Sequence, residues 1–479
     1  MAEARGGGPL EASALLPARR VGADGIARVD MSAVLRLAAP LMATNATQAI
    51  LNLTDTWFVG QLSTDAVAAM GSIYWLMTCI LLLAGGVGLA VQSFVSQAEG
   101  SRRRARAGQA AWSAVWAAIA SLPMFWIAAA LGPWLLRPFG LSPEVERLAL
   151  EYWEPRMEGA VLGSLGWVLM GFFNGVGATR VTLLIAASVT LCNVPANQYF
   201  MFTLDMGMAG AAWGTNVAQL AGLLLAFAIL LSPRFSRSHR TRLVWRPRLA
   251  LIGRMLHVGL PVGVMYGADV LGVALFQLMI ARVGSADAAA TQIVMMLTSL
   301  AYLPTIGLAT AGTTLVGQSI GAGARDWAAV LGTRVILLCS AMMAGIALTF
   351  LALGPLVVPW FLGSGDSGSA ATLAVALMVL WPAAAYQAFD GLYFGSSSCL
   401  RAAGDTRVPA LTALLASWGL FVPLAHMLVF APGQGWVGGL PQWGLGALGG
   451  WLALMTYATL LGSSMFLRWR SGRWRTMTL

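Results

Sequence analysis

The sequence predicts an all-α membrane protein: twelve transmembrane helices in two homologous six-helix lobes, with the N and C termini both cytoplasmic. Three observations carry this. Of 479 residues, 58% are hydrophobic and only 10% are charged, less than half the charge of a typical soluble domain. The apolar residues come in runs long enough to span a bilayer, which takes about 20 residues. A set of short motifs also recurs in the same order in the two halves. The composition excludes a soluble enzyme, a disordered protein and a disulfide-stapled secreted domain.

Residues 1–30 are rich in Gly, Ala and Arg and lack the apolar core of a signal peptide. They are expected to form a disordered cytoplasmic tail. Apolar runs follow near 33–58, 67–95, 109–136, 157–173, 181–203, 207–232, 254–281, 288–319, 328–361, 370–399, 408–430 and 443–467. The fourth is short and Gly-rich. The chain thus divides into an N-terminal lobe at 31–233, a cytoplasmic linker at 234–253, a C-terminal lobe at 254–468 and a basic cytoplasmic tail at 469–479.

The loops set the orientation. There is no Lys, so all 29 basic residues are Arg. They cluster at Arg102, Arg103, Arg104 and Arg106 in the second loop, at Arg234, Arg237, Arg240, Arg242, Arg246 and Arg248 in the sixth, and at Arg468, Arg470, Arg473 and Arg475 after the last span. The odd-numbered loops hold only Arg137, Arg147, Arg156 and Arg282. By the positive-inside rule both termini are cytoplasmic. A net charge of +10 placed in short loops between spans marks a lipid bilayer, not nucleic acid, as the partner. Cys79, Cys192, Cys339 and Cys399 lie inside apolar runs, and the histidines at 239, 257 and 426 have no ligand spacing, so neither a disulfide nor a His/Cys metal site is expected.

The repeats give the lobes. Gly86, Ala90, Val95, Gln97 and Gly100 reappear at one constant offset as Gly307, Ala311, Val316, Gln318 and Gly321, and Pro40 and Pro261 fall at that same offset. Gly177-Ala-Thr-Arg-Val returns as Gly404-Asp-Thr-Arg-Val at a slightly larger one. Six spans separate the copies, so the halves share one orientation. Parallel repeats about an axis along the membrane normal are a transporter architecture.

Three carboxylates sit inside the spans: Asp55, Asp269 and Asp390. A charge at membrane depth costs at least ~2.5–3.5 kcal/mol and marks function by default. Asn45, Gln48, Asn52 and Asp55 are spaced to share one helix face, and such a polar stripe faces protein or water. Tyr386, Asp390 and Tyr393 also share a face, which suits a cation by charge and ring quadrupole. Tyr266 precedes Asp269 on a Gly-rich helix that carries Gln277 further along. If their helices face each other, Asp269 and Asp390 would hold one Na⁺ or share one proton; sequence alone does not decide that. Pro40 and Pro261, at equivalent repeat positions, are candidate hinges.

These residues resemble the multidrug and toxic compound extrusion (MATE) transporters over about 32–468. The resemblance rests on Pro40 with Asp55-Thr-Trp-Phe-Val-Gly60, the Gln97/Gln318 repeat, Gly259-Leu-Pro261 and Leu400-Arg-Ala-Ala-Gly-Asp-Thr406. The bacterial NorM-like branch is the most similar. It carries counterparts of Asp55, of Asp390 with Tyr386, and of an acid eight residues after Pro261, usually Glu and here Asp269. Asn193 and Asn197 in the fifth span also match that branch. The resemblance implies a secondary antiporter, not an enzyme, in a bacterial inner (plasma) membrane. It would export organic cations by alternating access in exchange for Na⁺ or H⁺. Asp55, Asp269, Asp390 and Tyr386 would couple the cation, with Na⁺ held by Asp269 and Asp390. Asn45, Gln48, Asn52, Asn193, Asn197, Tyr266, Gln277 and Tyr393 would line the substrate cleft. No cofactor beyond the coupling ion is implied, no phosphate loop is present, and a monomer is expected. A flippase for a lipid-linked or amphiphilic substrate is the alternative; it would line its cleft with basic residues. An intramembrane aspartyl protease lacks its Gly-x-Gly-Asp pattern here, and a channel would not need the tandem repeat.

Overall fold

The computed structural model describes residues 16–362, 367–477 and 479. The chain begins with a correction. Residues 16–30 are not disordered: β1 (Arg19–Val21) and β2 (Ala27–Val29) pair antiparallel, with Arg19 opposite Val29. Asp24-Gly25 makes the turn, with Gly25 at φ +72°, a conformation glycine adopts freely. Leu16, Ala18, Ala27 and Val29 pack against the cluster containing Trp327 and Leu331, and the Trp327 indole donates to the Pro17 carbonyl at 3.0 Å. Residues 1–15 of the expected tail lie outside the described residues.

α1 (Met31–Gly60) starts where the Asp30 carboxylate accepts from the Ser32 and Ala33 amides at 3.0 and 3.2 Å. These bonds, with the Ser32 hydroxyl foremost, hold that carboxyl below the usual range. α2 (Thr64–Gly100) is capped in the same way by Ser63. Next come α3 (Arg104–Ala130), α5 (Thr179–Thr203), α6 (Gly207–Leu230), α7 (Leu249–Val283), α8 (Ser285–Gly321), α9 (Arg325–Phe361), α10 (Ser369–Ala403), α11 (Arg407–Val429) and α12 (Gly446–Arg470). Among the described residues ten helices, α2, α3 and α5–α12, are long and apolar enough to cross a membrane. α1 misses that criterion because of its polar stripe. α4 misses it because it is built from two segments, Pro143–Glu158 and Ala160–Gly175, meeting at Gly159.

α4 is the second correction. The apolar run at 157–173 is only its second segment, because the first is amphipathic and carries charge. Arg156, assigned from sequence to a loop, is therefore in a helix and 9% exposed. Prolines mark the irregular points. α3 breaks at Ser121 ahead of Pro123, and π-helical turns follow Pro195 in α5 and precede Pro423 in α11, where the missing amide frees a carbonyl.

The repeat is visible in how the lobes meet. α2 packs on α7, and α8 packs on α1. Gly86 lies against the backbone of Gly259 and Gly263, while its repeat partner Gly307 lies against Met42, the counterpart of Gly263. A Cβ on Gly100 would lie 2.0 Å from the Gln318 carbonyl, and one on Gly321 would lie 2.0 Å from that of Gln97. Both glutamines then reach across the lobes. Gln97 Nε2 donates to the Ala402 carbonyl at 2.7 Å, and Gln318 Nε2 to that of Gly175 at 3.1 Å. The Arg-rich linker includes a short helix, Pro233–His239. It is tied to α3 by Trp112 and Trp116, whose indoles donate to the Thr241 and Trp245 carbonyls at 2.7 Å.

Candidate functional site

In the N-terminal lobe, Asp55 is 9% exposed. The Asn193 and Asn197 amides, one turn apart on α5, both donate to its Oδ1, at 2.9 and 2.7 Å. Thr215 of α6 donates to Oδ2 at 3.3 Å. Buried Arg156 of α4 lies close enough to act on Asp55 through space and donates to Asn216 Oδ1 at 3.3 Å. Hydrogen bonds to a charged group contribute about 1.5–3 kcal/mol each, so this set offsets much of the cost of burying the carboxylate.

The predicted stripe on α1 does not act as one unit. Asp55 turns into the lobe, whereas Asn52 is exposed; Gln48 Nε2 donates to its Oδ1 at 3.4 Å. Asn45 donates across the lobes to the Leu303 carbonyl at 3.0 Å. The stripe covers a full side of a long helix, and its ends meet different neighbours. Asn45 and Gln48 do share a setting: with Thr190, Gln219, Trp167 and Gly166 they line a cavity of about 180 Å³ between α1, α4, α5 and α6.

In the C-terminal lobe the partners are phenols. Tyr393 of α10 and Tyr457 of α12 donate to the two oxygens of Asp269, at 2.8 and 2.5 Å. Tyr386 donates to Asp390 Oδ2 at 3.2 Å, and its hydroxyl also meets that of Tyr302 on α8. Asp390 is 7% exposed, whereas Asp269 is half-buried. The two carboxylates are near enough to repel each other when both are charged. Tyr393, placed by helical spacing beside Asp390, in fact serves Asp269. Tyr266 packs against this core, and Gln277 is half-buried; among the described residues neither bonds to a carboxylate. Behind the site, Gln387 Nε2 donates to the Thr298 carbonyl at 2.8 Å.

Sequence reasoning missed Tyr302, Tyr457, Thr215 and Arg156. The first three were unreadable because each sits on a helix remote in sequence from the carboxylate it serves. Arg156 carried a usable signal: it directly precedes the apolar run of α4, at the end of a charged stretch from 143 that can itself form an amphipathic helix.

The MatE family model matches residues 40–199 and 261–427. The chain is 30% identical to "Probable multidrug resistance protein NorM" of Pseudomonas aeruginosa, over 93% of this chain and 90% of that protein. It is 27% identical to the protein of the same name in Brucella suis biovar 1, over 92% of this chain and 93% of that one. A solved "outward-facing conformation of a multidrug resistance MATE family transporter of the MOP superfamily" matches with a TM-score of 0.78 at 20% identity, covering 91% of this chain and 94% of that one.

Proposed function

The chain belongs to the MatE family and is a multi-pass bacterial membrane transporter, and from that premise we propose that it exports organic cations in exchange for H⁺ or Na⁺ by alternating access. The observation that carries this is the paired carboxylates of the C-terminal lobe within a shell of phenols. A largely buried site with two acids that disfavour being charged together takes up one monovalent cation, H⁺ or Na⁺. The phenol hydroxyls stabilise whichever carboxylate stays ionised. Uptake of the ion neutralises the site and removes the desolvation penalty of that charge. Such a ligand biases one of two lobe arrangements, which is what coupling requires.

The amide-lined cavity of the N-terminal lobe supports the substrate role. It combines the Trp167 indole with Asn45, Gln48 and Gln219, and among the described residues no charged one lines it. Aromatic faces and amide oxygens suit a delocalised organic cation. Hinging near Pro40 and Pro261 would open the Arg-rich side, which we assign to the cytoplasm. The flippase alternative needs a basic cleft. Here buried Arg156 bonds to Asn216 and buried Arg401 to Thr313, and among the described residues no arginine lines the N-terminal cavity.

Expression in a pump-deficient host tests the proposal. Raised tolerance to ethidium-like cations, with counterflow of a labelled cation in proteoliposomes, is the expected result. Unchanged tolerance and no counterflow across a broad cation panel would overturn it.

A further inference from the structure

We propose that the Arg-rich face carries a binding site for a phosphate-bearing anion in the groove where the lobes meet. The groove, about 530 Å³, is lined by Arg103 and Arg106 at the start of α3, Arg248 and Arg254 at the start of α7, and Arg325 at the start of α9. Arginines on this face that have acidic neighbours use them: Arg104 pairs with Glu99, Arg468 with Asp405 and Arg475 with Asp326. Among the described residues none of the five groove arginines has an ion-pair partner, and no Asp or Glu lines the groove. Five guanidinium groups around one concavity repel one another, and an anion bound among them relieves that repulsion.

A second observation points the same way. Gln109 of α3 is 8% exposed and lines the groove, yet it has no hydrogen-bond partner among the described residues. With no protein partner, this amide is left to bond whatever occupies the groove, which its remaining exposure faces. An amide donor beneath several planar guanidinium forks matches the oxygens of a phosphate, which Arg contacts in bidentate fashion. Phe94, Leu251 and Ile320 form an apolar flank, so a headgroup carrying acyl chains fits as well as a soluble phosphate ester. Orientation alone requires many arginines on this face. It does not require them to converge: exposed Arg234 and Arg237, on the short linker helix, do not line the groove.

The groove takes arginines from both lobes, so an anion bound there ties the lobes in this arrangement. Such a ligand shifts the population toward the state with this face closed.

The test uses the full chain in neutral detergent, with unfolding followed by tryptophan fluorescence. Phosphatidylglycerol in mixed micelles should raise the midpoint saturably, and phosphatidylcholine should not. In Arg106→Gln/Arg254→Gln the apparent affinity should weaken about tenfold or more. In Arg234→Gln/Arg237→Gln, which loses the same charge outside the groove, it should stay within about twofold. Gln109→Leu should weaken binding without changing net charge. A rise produced by inorganic phosphate alone, lost in the groove variant, supports the site and identifies a soluble ligand. Equal weakening in both double variants, or no response to either probe, overturns the proposal.

Discussion

In the N-terminal lobe a single carboxylate, Asp55, is held by amides and a threonine; in the C-terminal lobe two, Asp269 and Asp390, are held by tyrosines. The scaffold around them is repeated, down to the Gly86/Gly307 and Gln97/Gln318 contacts between lobes. The chemistry is not. At the offset that relates Pro40 to Pro261, Asp269 corresponds to Gln48; at the offset that relates Gly177 to Gly404, Asp390 and Tyr393 correspond to Gly163 and Gly166. Gln48, Gly163 and Gly166 all line the N-terminal cavity. Where one lobe fills the space with acids and phenols, the other replaces them with an amide and two glycines and leaves a hollow. On the proposed function, one fold position would serve a small ion in one copy and a larger molecule in the other.

The largest effect is expected at the filled site. Asp269→Asn and Asp390→Asn are nearly isosteric, so each should insert and purify like the parent. Gradient-driven efflux should fall about 10–100-fold, the rate equivalent of losing charge-assisted bonds of ~1.5–3 kcal/mol. Full efflux in both variants would remove them from the coupling site.

The hollow can be filled. A Cβ on Gly166 meets nothing within 4 Å, so Gly166→Leu should project into the cavity. Replacing a mid-helix Gly also favours the helix by about 0.8–1 kcal/mol, so the melting temperature should hold or rise. Export of bulky cations should drop about tenfold, and a smaller cation should suffer less. Equal export of both at the parental rate would show that the hollow is not a substrate pocket.

Asp55→Asn should have an intermediate effect, with weak efflux and a population shifted toward one lobe arrangement. Cysteine accessibility across the cleft would read this, after Cys79, Cys192, Cys339 and Cys399 are replaced. Normal export with an unchanged accessibility pattern would reduce Asp55 to a structural residue. The smallest effects belong to single phenols: Tyr457→Phe and Tyr386→Phe leave the carboxylate charge in place, so each should lower efflux by less than the aspartate variants, about five- to tenfold. A Tyr→Phe loss as large as that of the aspartates would mean that the phenols act directly on the transported ion.

Much of this was legible in the sequence, for identifiable reasons. Charges at membrane depth are costly, so Asp55, Asp269 and Asp390 stood out against apolar runs. Recurring glycines and glutamines exposed the repeat because close backbone contact tolerates few alternatives. Tyr457 and Thr215 stayed hidden because they are ordinary helix residues until the bundle closes around Asp269 and Asp55. Gly163 and Gly166 stand opposite Asp390 and Tyr393 at the repeat offset, but that they line a hollow appears only once the helices are packed. The hairpin at 19–29 was overlooked even though Asp24-Gly25 between alternating residues is a turn signal, because the glycine-rich segment before it dominated the composition.

The central claim is that ion coupling resides in the phenol-held carboxylates of the C-terminal lobe. The direct measurement is cation efflux from proteoliposomes under an imposed pH gradient and then an imposed Na⁺ gradient, for the parent, Asp269→Asn, Asp390→Asn and Asp55→Asn in parallel. The account predicts that at least one gradient drives the parent, that neither drives the Asp269 and Asp390 variants above background, and that the Asp55 variant retains a weak response to the same gradient as the parent. Gradient-driven efflux at the parental rate in Asp269→Asn and Asp390→Asn, with none in Asp55→Asn, would contradict it.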